Sequence, residues 1–147
     1  MDWLVLTPTP PLRMGSKKPP MAVQTFELPW GFPTLNDLLQ MTSQHWRRRS
    51  KSKKDWENVI AACIKVAKIK PTIGAVHVTF RLVPPNARRD PDNASAVIRK
   101  YVLDTLQNVG IIEQDNWGGI IGLDDDYAAP DKTNPHIVIT LRGHLKK

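Results

Sequence analysis

The sequence lacks the features that disulfide-bonded, cysteine-rich zinc-binding, membrane-spanning and secreted proteins require. It contains one cysteine, Cys63, which excludes an intramolecular disulfide and a cysteine-rich zinc site. No apolar stretch approaches the roughly 18 residues needed to cross a bilayer. The first residues lack the basic start and long apolar core of a signal peptide. We therefore expect a cytoplasmic protein without a membrane-spanning segment.

Length and composition limit the architecture. At 147 residues the chain is long enough for one domain with a true core. Its hydrophobic content of 41% and charged content of 24% are ordinary for a soluble globular protein. Residues 1–21 are rich in proline and predict a flexible extension, which leaves 22–147 as the folded domain.

Acidic residues are scarce only in the first half of the chain. Residues 1–70 hold 12 lysines and arginines against 5 aspartates and glutamates, whereas residues 71–147 hold 9 of each kind. The whole excess charge of +7 therefore lies in the first half. A basic surface attracts polyanions such as nucleic acid, but charge alone does not indicate hydrolysis.

The positive charge is densest between two tryptophans, Trp46 and Trp56. Six basic residues lie within eight positions there: Arg47, Arg48, Arg49, Lys51, Lys53 and Lys54. One interpretation is an arm or loop that contacts DNA phosphates, with a tryptophan stacking on exposed bases. The other is a solvated helix face whose tryptophans anchor it to the core. We favour DNA contact by the basic side chains.

Hydrophobic periodicity predicts a mixed order of strands and helices. The predicted strands are 22–28, 75–82 and 136–141, and the predicted helices are 34–39, 55–67 and 94–109. We interpret 117–122 as a loop or weak strand. The acidic triplet 124–126 is interpreted as a solvated turn, with a further metal ligand as the less favoured alternative. The fold class is therefore α/β or α+β, with a small mixed sheet and packed helices in a single domain.

Three aspartates, Asp90, Asp92 and Asp115, are the candidate metal ligands. Pro91 disfavours the helical region for Asp90, so we expect an extended segment in which the carboxylates of Asp90 and Asp92 share one face. Asn93 or Asp92 is then the N-cap of the following helix, which carries one apolar stripe through Val109. Gly110 ends the helix, and we expect the next turn to return Asp115 to the first pair. Carboxylate oxygens suit Mg²⁺ or Mn²⁺.

This arrangement resembles the RusA family of Holliday junction resolvases, which are common in phages and prophages. The family pattern is Arg/Lys-x-Asp-x-Asp-Asn, a helix with a lysine and Asp-x-Leu, then Gly-Val/Ile-x-x-Asp-Asp. This chain supplies Arg89, Asp90, Asp92, Asn93, Lys100, Asp104, Leu106, Gly110, Ile111 and Asp115. If positions are counted back from Asp104 and Asp115, Lys100 falls at the lysine position of the family pattern. This alignment implies about one extra helical turn near the start of the helix. Gln114 stands where the family has the first aspartate of its pair.

The resemblance implies a homodimeric endodeoxyribonuclease that acts on four-way DNA junctions in recombination and repair. Asp90, Asp92 and Asp115 would be its catalytic metal ligands, and Lys100 would offset charge at the phosphate. Arg88 and Arg89, beside the site, would bind the scissile or adjacent phosphate. The expected products are paired nicks that ligase can seal.

The sequence also allows two functions other than that of a junction resolvase. The first is a non-catalytic protein, derived from a resolvase, that binds branched DNA; the displaced Lys100 and the presence of Gln114 favour it. The second is a metal-dependent phosphohydrolase that acts on nucleotides. The basic stretch 47–54 argues against the second, because it suits a long polyanion.

Overall fold

Strands and helices interleave along the chain. The computed structural model describes residues 21–33, 37, 46–88, 91–113 and 119–146. The elements in these residues are β1 (Met21–Pro29), α1 (Trp46–Val66), β2 (Thr72–Val83), α2 (Pro91–Asn108), β3 (Ile120–Tyr127) and β4 (His136–Leu145). Residues 1–20 and most of the predicted helix 34–39 lie outside the described residues. The predicted class, a small α+β domain with a mixed sheet, is confirmed.

The four strands form one sheet in the order β1-β4-β2-β3. β4 is antiparallel to both of its neighbours, whereas β2 and β3 are parallel. A parallel pair needs a crossover connection that returns the chain to the starting edge. α2 is that connection, so its first residues follow the end of β2 and its last residues precede the start of β3.

The hydrophobic core lies between one face of the sheet and the two helices. Val76, Val78, Phe80 and Leu82 alternate along β2 and are at most 2% exposed, so the predicted face of this strand is confirmed. Ile60 and Ile64 of α1 join them, together with most of the predicted stripe of α2. The members of that stripe in the core are Ala94, Val97, Ile98, Tyr101, Val102 and Leu106. Val109 is 45% exposed, because it follows the last residue of α2.

The second face of the sheet carries no part of this core and is polar along β2 and β3. On β2 it presents His77, Thr79 and Arg81, which are half-buried or exposed. Asp124 and Asp126 of β3 lie opposite Thr79 and Arg81 in the parallel register. We call this surface the open face.

Two predicted boundaries are wrong because polar residues occupy regular elements. α1 begins at Trp46 rather than Asp55, so the basic stretch is helical and is not a loop. Arginine and lysine are good helix formers even without apolar periodicity. The acidic triplet 124–126 is in β3 rather than in a turn. Of the segment 117–122, predicted as a loop or weak strand, residues 120–122 belong to the same strand.

Both helices end in the same hydrogen-bonded motif. At the end of α2, Ile111 N donates to Leu106 O at 2.9 Å and Gly110 N donates to Gln107 O at 3.1 Å. Gly110 has a φ of +82°, so this is a Schellman motif with glycine in the left-handed position. At the end of α1, Ile69 N donates to Ile64 O at 3.2 Å and Lys68 N to Lys65 O at 3.1 Å. There the left-handed residue is Lys68, with a φ of +56°.

Candidate functional site

The end of β1, the end of β2, the end of β3 and the start of β4 all lie at one end of the sheet. The register pairs His136 with both Pro29 and Val83, and pairs Leu82 with Tyr127. The predicted acidic motif follows β2 at this end. We call it the motif end of the sheet.

The loop from Pro84 to Arg88 leads from β2 to the motif. Pro84 O accepts a hydrogen bond from Asp131 N at 2.8 Å, which ties this loop to the segment between β3 and β4. Asn86 Oδ1 accepts from Arg88 N at 3.0 Å. That bond closes a local turn of the kind that asparagine favours. Arg88 is exposed and directly precedes the motif.

The motif itself enters the helix earlier than predicted. α2 begins at Pro91 and includes Asp92 and Asn93, so neither residue is the N-cap and Asp92 is not in an extended segment. Proline is favourable at the first helical position because its fixed φ is helical and its missing N–H would have no partner there. Asp90 and Arg89 lie outside the described residues, as does Asp115.

A cleft of about 590 Å³ connects the basic helix with the loop that leads to the motif. Its walls include Ser52 and Trp56 of α1, Asn86 of the loop, and Ala94 and Ile98 of α2. Phe32 stacks on Trp56 with ring centroids 4.0 Å apart. Trp56 therefore packs against the turn after β1, as the anchoring interpretation of the tryptophans expected.

A second, smaller groove of about 240 Å³ is also lined by this loop. Trp30, Pro84 and Tyr127 form much of its wall, and Asn86 and Ala94 line both cavities. The loop after β2 therefore contributes to two concave surfaces at the motif end of the sheet.

The basic stretch occupies the first turns of α1. The backbone of residues 46–54 is helical, and Lys51 and Lys54 are exposed. Lys53 instead points to α2, where its Nζ lies 3.0 Å from Asp104 Oδ2. This hydrogen bond raises the pKa of Lys53 above its ordinary value. DNA contact by this stretch stays a prediction. Of its basic side chains, Lys53 is already bound to the carboxylate of Asp104.

Lys100 is also bound to Asp104. Its Nζ lies 3.6 Å from Asp104 Oδ2, one turn further toward the end of α2, and its side chain is 66% exposed. Position 100 is about 12 Å along the helix axis from position 92 and about 80° around it. Lys100 therefore extends away from the start of α2, where the acidic motif lies.

The residues that flank Asp115 lie at the opposite end of the sheet from the motif. Gly74 N donates to Glu113 Oε1 at 2.7 Å, and Val76 N donates to Gly119 O at 2.9 Å. Both contacts are to the first part of β2, whereas Asp92 follows its end. Positions 92 and 108 are about 24 Å apart along α2. Asp115 itself lies outside the described residues, so its expected return to Asp92 stays a prediction.

A polar cluster that the sequence patterns did not indicate lies between the first half of α2 and β3. The Arg99 guanidinium donates through Nη2 to Ser95 Oγ at 3.2 Å and pairs with Asp125 Oδ2 at 3.1 Å. The Tyr127 hydroxyl donates to the same carboxylate at 3.3 Å. Arg99 Nε and Asp125 Oδ1 are buried and have no hydrogen-bond partner among the described residues. A sequence signal for the cluster is the four-residue spacing of Ser95 and Arg99, which makes them neighbours on a helix.

Each carboxylate of the acidic triplet has a basic partner. The pairs are Asp124 with His77, Asp125 with Arg99, and Asp126 with Arg81. The first and third pairs lie on the open face, and the second lies beneath α2. Alternation along β3 therefore sends the three carboxylates to two different faces of the sheet, which does not suit joint binding of one metal ion.

The candidate metal ligands are carboxylates, whose oxygens fit Mg²⁺ or Mn²⁺. Within residues 21–33, 46–88, 91–113 and 119–146, no group of three histidine, cysteine, aspartate or glutamate residues is placed to hold a metal ion. Two of the three predicted ligands, Asp90 and Asp115, are outside these ranges. None of the helices in the described residues is both long enough and apolar enough to span a membrane.

Comparisons with known proteins give no family for this chain. No protein-family model matches the sequence, and no curated protein matches it. Two solved structures of the hydrogenase maturation protein HypE, one of them in complex with ATP, are 12% identical to it with a TM-score of 0.33. The matches cover 97% of this chain and 36% and 35% of the HypE chains, so this chain spans about a third of their length. At this TM-score the likeness carries no argument about function.

Proposed function

We propose that this protein is a metal-dependent endodeoxyribonuclease that resolves four-way DNA junctions by paired symmetric nicks, as its resemblance to the RusA resolvases implies. One observation carries the proposal. The cleft beside the motif is lined both by Ser52, within the basic stretch of α1, and by Ala94, two residues after Asp92. A DNA strand bound along the first turns of α1 would therefore pass the start of α2, where the motif lies.

The proposed roles follow from charge and position. Asp90, Asp92 and Asp115 would hold Mg²⁺ or Mn²⁺, which when bound makes a coordinated water more acidic and offsets charge on the leaving 3′ oxygen. The exposed Arg88, together with Arg89, is suited to binding a phosphate next to the motif. The residues that would neutralise more distant phosphates are Arg47, Arg48, Arg49, Lys51 and Lys54.

The topology adds a requirement to the proposed homodimer. Within one subunit, α2 separates Asp92 from the flanks of Asp115 by far more than a shared metal ion allows, because carboxylate oxygens must lie within about 2.6 Å of it. We propose that Asp115 completes the site of the partner subunit. Two sites related by a two-fold axis match the two-fold symmetry of a four-way junction.

The first test replaces Asp92 with asparagine. We expect Asp92→Asn to lower the rate of junction nicking by at least about 100-fold, because it removes a charge on which the reaction depends. Binding to the junction should be preserved or strengthened, because the change also removes repulsion of phosphate. The measurement uses a labelled four-way junction and a matched linear duplex, with Mg²⁺, Mn²⁺ or EDTA.

The matched control for this test is Asp126→Asn, which removes a carboxylate on the open face. It should nick at the wild-type rate. Equal activity of wild type and Asp92→Asn would contradict the proposed chemistry, and metal-independent nicking would contradict the metal requirement.

The second test asks whether the site lies between subunits. Differently tagged Asp92→Asn and Asp115→Asn chains are co-expressed, and heterodimers are isolated by tandem affinity purification. In an intersubunit arrangement the heterodimer regains one intact site and nicks one strand, while each homodimeric variant stays inactive. If every site lies within one subunit, both sites of the heterodimer are defective and no activity returns.

A non-catalytic protein that binds branched DNA is the second candidate. The observation that favours it is the pairing of Lys100 with Asp104, which directs the lysine of the family pattern away from the motif. Tight metal-independent binding to junctions without nicks, unaltered by Asp92→Asn, would support this candidate over the resolvase.

A further inference from the structure

The acidic motif needs a cation at the phosphate, and the structure offers one other than Lys100. Positions 92 and 99 differ by about 20° around the axis of α2, whereas positions 92 and 100 differ by about 80°. Arg99 therefore lies on the helix face of Asp92. Lys100 lies on the side that faces α1, where Lys53 and Asp104 are its neighbours.

The Arg99 side chain also extends toward the start of α2, where the acidic motif lies. Helix side chains tilt toward the N-terminus, and the contact of Arg99 Nη2 with Ser95 Oγ at 3.2 Å brings the guanidinium back by one turn. Its charged end is thus beside position 95, which is only about 5 Å along the axis from position 92. The Lys100 ammonium instead approaches Asp104, one turn further from the motif.

The guanidinium is fixed in place and still has donors to offer. Asp125 and Ser95 both bind Nη2. Arg99 Nε is buried and has no acceptor among the described residues, so it does not itself face solvent, although the side chain as a whole is 34% exposed. A planar guanidinium held along one edge is suited to donating from its remaining N–H groups to phosphate oxygens.

We infer that Arg99 is the catalytic cation of this site, in the role that a lysine has in the resembled family. It binds a non-bridging oxygen of the scissile phosphate and stabilises the charge that accumulates there as a water oxygen, having lost a proton to solvent, bonds to phosphorus and the bond to the 3′ oxygen breaks. Asp125 and Ser95 are positioning residues that hold the guanidinium. This inference rests on the proposed function.

The test compares single-turnover nicking rates at saturating junction with junction affinity measured in EDTA. We expect Arg99→Gln to lower the nicking rate by about 100-fold or more and to change the dissociation constant by only a few-fold. Arg99→Lys should recover part of the rate, because it restores charge without the fork of donors. Lys100→Gln should lower the rate far less than Arg99→Gln.

Two further variants separate catalysis from folding. Arg81→Gln breaks the Arg81–Asp126 pair, a matched arginine–aspartate pair between β2 and β3 on the open face, and should nick at the wild-type rate. The double variant Arg99→Gln/Asp125→Asn removes the buried carboxylate that Arg99→Gln leaves unpaired. It should recover thermal stability and remain inactive.

The possible outcomes have distinct meanings. A large loss of rate in Lys100→Gln, with little loss in Arg99→Gln, overturns the assignment of Arg99 and leaves the resolvase proposal intact. Recovery of nicking together with stability in the double variant shows that Arg99 is only structural, and also overturns it. Wild-type protein that binds junctions and never nicks them overturns the resolvase proposal and this inference together.

Discussion

At the scale of single residues, Lys68 and Gly110 occupy equivalent positions in the two Schellman motifs. Both have left-handed backbone conformations, with φ of +56° and +82°. A residue with a Cβ atom is strained in this conformation, whereas glycine adopts it readily. The end of α1 therefore carries a strain that the end of α2 avoids.

This difference predicts opposite effects for reciprocal substitutions. Lys68→Gly should raise the free energy of unfolding by about 0.5–1 kcal/mol, and Gly110→Ala should lower it by about 1 kcal/mol. A Cβ atom at Gly110 would meet nothing within 4 Å, so the cost there is purely that of the backbone conformation. Urea denaturation of both variants and wild type measures the two effects. A fall in stability for Lys68→Gly would show that contacts of the lysine side chain outweigh the strain.

At the scale of elements, α1 and α2 are linked by an ion cluster in which Lys53 and Lys100 share Asp104. The hydrogen bond to Asp104 raises the pKa of Lys53 above 10.5 in the folded protein. A raised pKa means that the folded state holds this proton more tightly than the unfolded state does. The ion pair therefore stabilises the folded protein fully at pH values below the pKa that Lys53 has in the unfolded chain. This stabilisation is lost as the pH rises through the pKa that Lys53 has in the folded protein.

The cluster predicts a pH-dependent effect of Lys53→Met. At pH 7 the variant should be less stable than wild type by about 0.5 kcal/mol, because the pair is partly exposed and screened by water. The difference should shrink as the pH rises above 10.5, the ordinary value for lysine. Denaturation of both proteins between pH 7 and pH 11.5 tests this. Lys54→Met, on the same helix and exposed, is the control, and a pH-independent loss in Lys53→Met would indicate packing of its aliphatic stem.

The elements differ in how far the sequence predicts them. β2 was predictable because Val76, Val78 and Phe80 alternate with polar residues, and one buried face imposes that period. β3 was not, because Asp124, Asp125 and Asp126 resemble a turn until their partners on β2 and α2 are known. The first turns of α1 were missed for a similar reason, since six basic residues there leave no apolar stripe to detect.

At the scale of the whole molecule, the candidate site was predictable only in its composition. The order of residues indicates carboxylates suited to a metal ion, but it does not reveal which way the chain runs between them. The crossover by α2 places the motif end and the flanks of Asp115 at opposite ends of the sheet. The seven-residue spacing along α2 puts Arg99, and not Lys100, on the helix face of position 92. The second result depends on the helix boundary at Pro91, which local propensity did not define.

The central position of β4 has a consequence for how this chain is made. β1, near the start of the chain, forms its strand hydrogen bonds with β4, which begins at residue 136. During synthesis from the N-terminus, β1 therefore waits without its partner until residues 136–145 have left the ribosome. The sheet closes only when β4 enters between β1 and β2, so a nascent chain exposes unpaired strand edges until then. Such edges favour association with other chains, so we expect association of nascent chains to increase with the time between the emergence of β1 and that of β4.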